Sequence, residues 1–380
     1  MNNVPKLRFG EFDGEWEEKF IGDISIIKTG NKDTQDKKEN GMFPFYVRSN
    51  TVEKIDSYSF DGEAILTAGD GVGVGKVFHY LNEKFEYHQR VYNIHAFDEK
   101  VSGKYIYYYF SDRFYRRVIR LSAKNSVDSV RKDMISKMLI PLPQKQEQQK
   151  IANFLTSIDK KITILESKIS NLEKYKKGVM QKIFSQELRF RGDDGEFFGD
   201  WEYKYGNHIF KAISNKNHQS DLPILAISQK YGAIPRDMIN YKINVKSTSI
   251  DSYKVVEIGD FIISLRSFQG GIEYSNYLGI CSPAYIILRS YIKIEKRFFK
   301  YFLKTYKYIQ QLNKKLEGIR DGKMISYKYF SEIKLPLPQL KEQTKIANFL
   351  SSIDNKIEQS QKELEGVKRF KKGLLQYMFV

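Results

Sequence analysis

Between residues 151 and 183 the apolar positions step by four and three: Ile151, Leu155, Ile158, Ile162, Leu165, Ile169 and Leu172, then Val179 and Ile183. Lys176 fills the one slot between Leu172 and Val179. This heptad seam predicts a long helix suited to coiled-coil packing. A second seam runs through Ile346, Leu350, Ile353, Ile357, Leu364, Val367, Leu374 and Met378. Ser360 stands at the slot of Leu165, and Lys371 matches Lys176. Pro141 and Pro143, then Pro336 and Pro338, keep the helices from starting earlier. Each helix then has roughly 40 residues and a length of about 60 Å.

The segments before the two seams read differently. In the first, strand-like runs at 45–48, 64–67, 74–79 and 91–95 are separated by Gly, Asn and Asp turns, and a helical run follows at 105–121. The second has strand-like runs at 224–228, 261–265 and 284–288, then a helical run at 297–316. Each is expected to be a mixed α/β (α+β) module with a sheet and a closing helix.

Residues 140–162 return almost unchanged at 335–357, an offset of 195, and Lys176, Lys177, Gly178, Gln181 and Phe184 recur as Lys371, Lys372, Gly373, Gln376 and Phe379. A repeat this long makes the chain two copies of one unit. The expected segmentation is a variable module at 1–143, a long helix at 144–185, a connector and second module at 186–338, and a second helix at 339–380. One helix with a single apolar seam cannot bury it alone. Two copies related by a pseudo-twofold axis would pair as an antiparallel coiled coil.

The formal charge of +17 favours a polyanionic partner, because lysines and arginines displace counterions from phosphates. The single cysteine, Cys281, excludes a disulfide framework and a cysteine-rich zinc site. The first residues lack the apolar core of a signal peptide, and no run of about 18 apolar residues occurs. A cytoplasmic location is expected.

No catalytic or metal centre is expected. Gly69, Gly71, Gly73 and Gly75 precede Lys76, but Asp70 and Val77 break the phosphate-loop pattern. A glycine turn that lets backbone approach closely fits better. Ser282-Pro283-Ala284-Tyr285 departs from the amino-methyltransferase tetrapeptide at Ala284, and no glycine-rich cofactor loop precedes it. The five histidines, His79, His88, His95, His208 and His218, do not pair at ligand spacing with acidic or cysteine partners.

The repeated I-P-L-P-Q…E-Q…K-I-A-N-F-L…S-I-D…K-I block, its K-K-G…Q…F ending and the two-copy layout resemble the specificity subunit of type I restriction-modification enzymes. The F-Y-V-R-S-N and G-D-G-V-G-V-G-K runs of the first module, and G-D-F-I-I-S-L-R-S-F-Q-G-G-I of the second, look like its target-recognition domains. The resemblance implies a non-catalytic, sequence-specific DNA-binding scaffold. Each module would read one half of a bipartite asymmetric double-stranded site. Two methyltransferase subunits would dock on the helices, with restriction subunits joining through them. S-adenosylmethionine, Mg and ATP would then belong to the partners. An autonomous nucleic-acid-modifying enzyme and a coiled-coil nucleic-acid-binding scaffold are the alternatives. A methylation assay on the isolated chain and its preference for duplex DNA distinguish them.

Base reading suits Arg for guanine and Asn or Gln for adenine, each through two parallel hydrogen bonds. The loop-placed candidates in the first module are Arg48, Ser49, Asn50, Lys76, His88, Gln89, Arg90, Lys124 and Asn125. In the second they are Lys230, Arg236, Arg266, Ser267, Gln269, Arg320 and Lys323, with the run from Arg266 to Gln269 foremost. The aromatic runs 105–110 and 298–302 sit at helical spacing and are expected in the core. Gln146, Glu147, Gln148 and Lys150, with their copies Lys341, Glu342, Gln343 and Lys345, begin the helices in equivalent surroundings and are the expected docking residues.

Overall fold

The computed structural model describes residues 4–122, 129–219, 221–239, 247–314 and 325–379. The chain divides into two compact units, Met1–Ser167 with Gln361–Val380, and Lys168–Ser360. The long helices, Lys145–Phe184 and Leu340–Tyr377, are each shared between the units.

In the first unit a six-stranded sheet has the order Ile26–Thr29, Val91–His95, Phe60–Ala68, Phe78–Tyr87, Phe43–Tyr46, Val52–Ile55. All pairings are antiparallel except Phe43–Tyr46 with Phe78–Tyr87. Strand alternation sends Ile27, Ile65 and Ile94 to one face, where helix Gly103–Leu121 delivers Tyr105, Ile106, Phe110 and Phe114 into the same core. The opposite face carries Ala64, Leu66, Leu81 and Phe85 in a second, smaller core. The second unit has a four-stranded sheet ordered Phe210–Ile213, Ile286–Ser290, Phe261–Ile263, Glu273–Tyr274, with short two-stranded sheets beside it. Phe298, Phe299 and Tyr301 fill its core. Both aromatic runs are therefore packing material.

The repeat is visible in how each module meets its helix. The Leu139–Leu142 strand pairs with Glu17–Phe20, and Lys334–Leu337 pairs with Glu202–Tyr205. Phe9 packs edge-on against Phe154 at 5.8 Å, and Phe190 against Phe349 at 5.5 Å. Within the first unit the start of the first long helix lies against the end of the second, Ile151, Leu155 and Ile158 sharing a core with Leu374 and Met378. Within the second unit the reverse ends meet, Val179 and Ile183 with Ile346, Leu350 and Ile353. The helices thus run antiparallel in each unit.

Three local expectations need correction. The helical run at 297–316 is two helices, Lys296–Phe302 and Tyr306–Asn313, because the Thr305 hydroxyl accepts from the Tyr308 N–H at 3.4 Å and starts a new helix. The run at 74–79 is not strand until Phe78, because the glycine turn before it lasts longer than its apolar residues imply. Strand Phe261–Ile263 stops two residues short of the expected run at 261–265, and Ser267–Gly270 forms a short helix after it.

Candidate nucleic-acid interface

In the first module three loops meet at one rim of the sheet. Arg48 follows strand Phe43–Tyr46, Asp70 follows Phe60–Ala68, and His88, Gln89 and Arg90 link Phe78–Tyr87 to Val91–His95. Asp70 gathers two of them, its Oδ1 lying 3.0 Å from Arg48 Nη1 and its Oδ2 3.7 Å from Arg90 Nε. Two guanidiniums share one carboxylate, so the rim keeps an excess positive charge. Such partly exposed pairs contribute about 0–1 kcal/mol and exchange readily for phosphate or a base edge.

Asp33 holds the neighbouring turn, accepting from Gln89 Nε2 at 2.7 Å. His88 is 2% exposed and its Nδ1 accepts from the Arg90 N–H at 2.9 Å. Burial, with the charge of Arg48, holds its imidazole below the usual histidine range. It is therefore a neutral support for the turn, not a base-reading side chain. Ser49 Oγ accepts from the Thr51 N–H at 3.2 Å and shapes the loop that exposes Asn50. Lys76 is exposed with its ammonium 5.5 Å from the Tyr115 ring centre.

The glycine turn behaves as expected. Gly71 has φ +74°, and a Cβ at Gly73 would stand 2.2 Å from the Arg48 carbonyl oxygen. At Gly73 the backbone of Arg48 is what approaches, and at Gly69 that of Arg90, whereas Gly71 faces open space.

In the second module Arg266 precedes the short Ser267–Gly270 helix. Ser267 is buried, its Oγ accepting from the Ser264 N–H at 2.9 Å, so it braces the turn that exposes Arg266 and Gln269. Gln229 Nε2 donates to the Arg266 carbonyl at 3.2 Å, joining this turn to the hairpin tip that carries exposed Lys230. Arg236 begins the next turn, its N–H donating to the Ile224 carbonyl at 3.0 Å. Lys124, Asn125, Arg320 and Lys323 lie outside the described residues.

The expected docking residues divide. Glu147, Gln148, Glu342 and Gln343 are each at most 2% exposed and face their own module. Gln148 Nε2 donates to the Pro143 carbonyl at 2.8 Å and its Oε1 accepts from the Ser102 N–H at 2.9 Å. Gln343 repeats this with Pro338 at 2.7 Å and Glu295 at 2.9 Å. Arg8 clasps Glu147 with two bonds of 2.8 Å, whereas the corresponding Arg189 stands 3.9 Å from Glu342. Lys150 pairs with Glu11, and Lys345 with Asp193 at 2.7 Å. The E-Q pair is thus a latch between module and helix. Only Gln146 and Lys341 of the eight are exposed without such a tie.

Sequence reasoning missed Tyr175 and Phe370, which are 53% and 56% exposed on the two long helices. They occupy one repeat position, directly before the Lys-Lys-Gly runs, so the offset was the available signal. Asp33 and Asp70, which hold Gln89, Arg48 and Arg90, were also missed, since a carboxylate carries no signal for reading DNA.

Among the described residues no group of three or more His, Cys, Asp and Glu side chains is arranged to hold a metal ion. No described helix is long and apolar enough to cross a membrane.

Two mixed α/β modules with cationic loop rims, set on a duplicated helical frame, define a DNA-specificity scaffold. The sequence profile of the type I restriction modification DNA specificity domain matches residues 13–174 and again 200–369. The chain therefore belongs to the family of type I restriction-modification specificity subunits, the non-catalytic components of those systems.

It is 26% identical to a putative type I restriction enzyme MjaX specificity subunit of Methanocaldococcus jannaschii, across 98% of this chain and 95% of that one. The MjaVIII specificity subunit of the same organism is 27% identical over 95% and 91% of the two chains. The fold matches that of the type I restriction-modification S subunit from M. genitalium, with TM-score 0.67 and 18% identity over 99% of each chain. A chain from a structure concerned with complex assembly and conformational transition of the type I R-M system matches with TM-score 0.55 and 16% identity, over 96% of this chain and 97% of that one.

Proposed function

We propose that each module reads one half of a split, asymmetric double-stranded DNA site, and that the two rims described above carry the reading. The observation behind this is that a constant frame holds two different loop sets. Arg48, Asn50, Lys76, Gln89 and Arg90 are offered by one, and Lys230, Arg236, Arg266 and Gln269 by the other. Different side chains on equivalent supports select different bases, so the halves should be unequal. The long helices act as the spacer between the readings.

The repeated outer helix surface, with Tyr175, Phe370, Gln146 and Lys341, receives two copies of one methyltransferase subunit, one per repeat. Restriction subunits join through these, and S-adenosylmethionine, Mg and ATP bind to the partners, in the cytoplasm. Single-molecule sequencing of methylated bases, in cells with and without this gene, tests the reading. Loss of one bipartite motif with two unequal halves is the expected result. An unchanged pattern with the methyltransferase present and active overturns it.

A further inference from the structure

The glycine turn of the first module bears one side chain that has no part in holding the fold. Val72 is 94% exposed, more than any other large hydrophobic side chain among the described residues. Turn tips are ordinarily polar. A branched apolar group held in water there is unfavourable for the free protein.

The tip is well braced. The Val74 N–H donates to the Gly71 carbonyl at 3.2 Å, Lys76 N–H to Gly73 at 3.0 Å, and Gly69 N–H to Arg90 at 2.7 Å. Gly71 needs its positive φ and Gly73 has no room for a Cβ, so Val72 is the sole side chain on the Gly71–Gly73 turn. Its χ1 is stiff because it is β-branched. Exposed Arg48, Lys76 and Arg90 flank the turn. The strand-end turn of the second module shows a similar pairing in its own unit, Leu265 at 51% exposure preceding Arg266.

We propose that Val72 is a specificity-determining residue that contacts the C5-methyl group of a thymine in the major groove, within the half-site of the first module. The inference rests on the DNA-reading assignment made above. The thymine methyl is the apolar feature of the major-groove edge, and apolar side chains select it. The surrounding cations suit the flanking phosphates. A rigid apolar tip inside a cationic ring matches that arrangement better than it matches phosphate alone.

The test uses the full chain purified with its methyltransferase subunits, and a duplex carrying the mapped site. Each thymine of the first module's half-site is replaced singly by deoxyuridine, which keeps every hydrogen bond and removes one methyl. One such replacement should weaken wild-type binding about three- to fivefold. Val72→Ala should bind the thymine duplex more weakly by a similar factor and be indifferent to that replacement. Val72→Thr, nearly isosteric and keeping one γ-methyl, should bind between Val72→Ala and the wild type. Both variants should melt with the wild type, since the side chain is not packed. The inference is overturned if no replacement matters, if Val72→Ala keeps the full penalty, or if the half-site holds no thymine. A wild-type complex that selects no bipartite sequence removes the DNA-reading assignment itself, and with it this inference.

Discussion

Lys371 Nζ donates to Asp159 Oδ1 at 2.6 Å, and one repeat away Lys176 Nζ lies 2.6 Å from Asp354 Oδ1. Each aspartate also accepts from a tyrosine of its module, Tyr108 at 2.8 Å and Tyr301 at 2.7 Å. Each lysine lies over the same ring, 5.3 Å from the centre of Tyr108 and 5.1 Å from that of Tyr301. A Tyr–Asp–Lys clamp therefore joins the module helix to both long helices in each unit. It explains why a lysine interrupts each apolar seam: its partner is a carboxylate on the facing helix.

Breaking the clamp should loosen the module it serves. Asp159→Ala removes a charge-assisted hydrogen bond and leaves Lys371 unpaired, at a cost of about 2 kcal/mol. For a unit of this size that lowers Tm by roughly 4–8 °C. Asp354→Ala should act alike on the second unit, which hydrogen exchange resolved by segment would localise. Equal protection loss in both units after either substitution would show that the clamps do not act locally.

The helices and both variable modules were legible because heptad spacing and a repeat offset of 195 survive in the residues themselves. The inward turn of Glu147 and Gln148 was not. A polar residue at a helix start reads as solvated, and only the fold brings the Pro143 carbonyl and the Ser102 N–H to Gln148. The rim was half legible. Arg48 and Arg90 could be picked as loop cations, but their meeting at Asp70 depends on sheet order. His88 and Ser267 looked like surface polar residues, yet both support turns from within.

Acid should weaken the first unit before the second. Burial is the largest influence on His79, His88 and His95 and lowers each imidazole from 6.5. The unfolded chain then binds more protons than the folded one as pH falls through this range. Stability is full above about pH 6.5 and declines below it. Glu273 and Glu342 of the second unit shift upward through burial, so their contribution grows on acidification instead. Hydrogen exchange at pH 7.5 and 5.5 should show protection falling first around Phe60–Ala68 and Val91–His95. Uniform loss across both units would contradict this.

Loop substitutions should act on one half-site each. Arg90→Ala should lower affinity through the first half-site by 5- to 150-fold, corresponding to about 1–3 kcal/mol for a base or phosphate contact. Arg266→Ala should do the same through the second half-site. Binding measured on duplexes scrambled in one half at a time separates the two. A variant whose penalty persists after its own half is scrambled contacts DNA without selecting sequence, and the slope of affinity with salt then falls by about one.

The exposed aromatics on the long helices give the partner surface a definite test. Tyr175 and Phe370 are ring residues in water at equivalent repeat positions, and interface anchors are rich in such residues. Each is bordered by two lysines, Lys176 and Lys177 or Lys371 and Lys372, of which the first is held by the clamp. The aromatic and the second lysine are thus presented on a fixed stretch of helix. Tyr175→Ala should halve the methyltransferase recovered per chain, and Phe370→Ala should do the same, while the double variant recovers almost none. Mass measurement of the purified complex reads the stoichiometry. If the double variant still carries the methyltransferase, these rings are not its anchors.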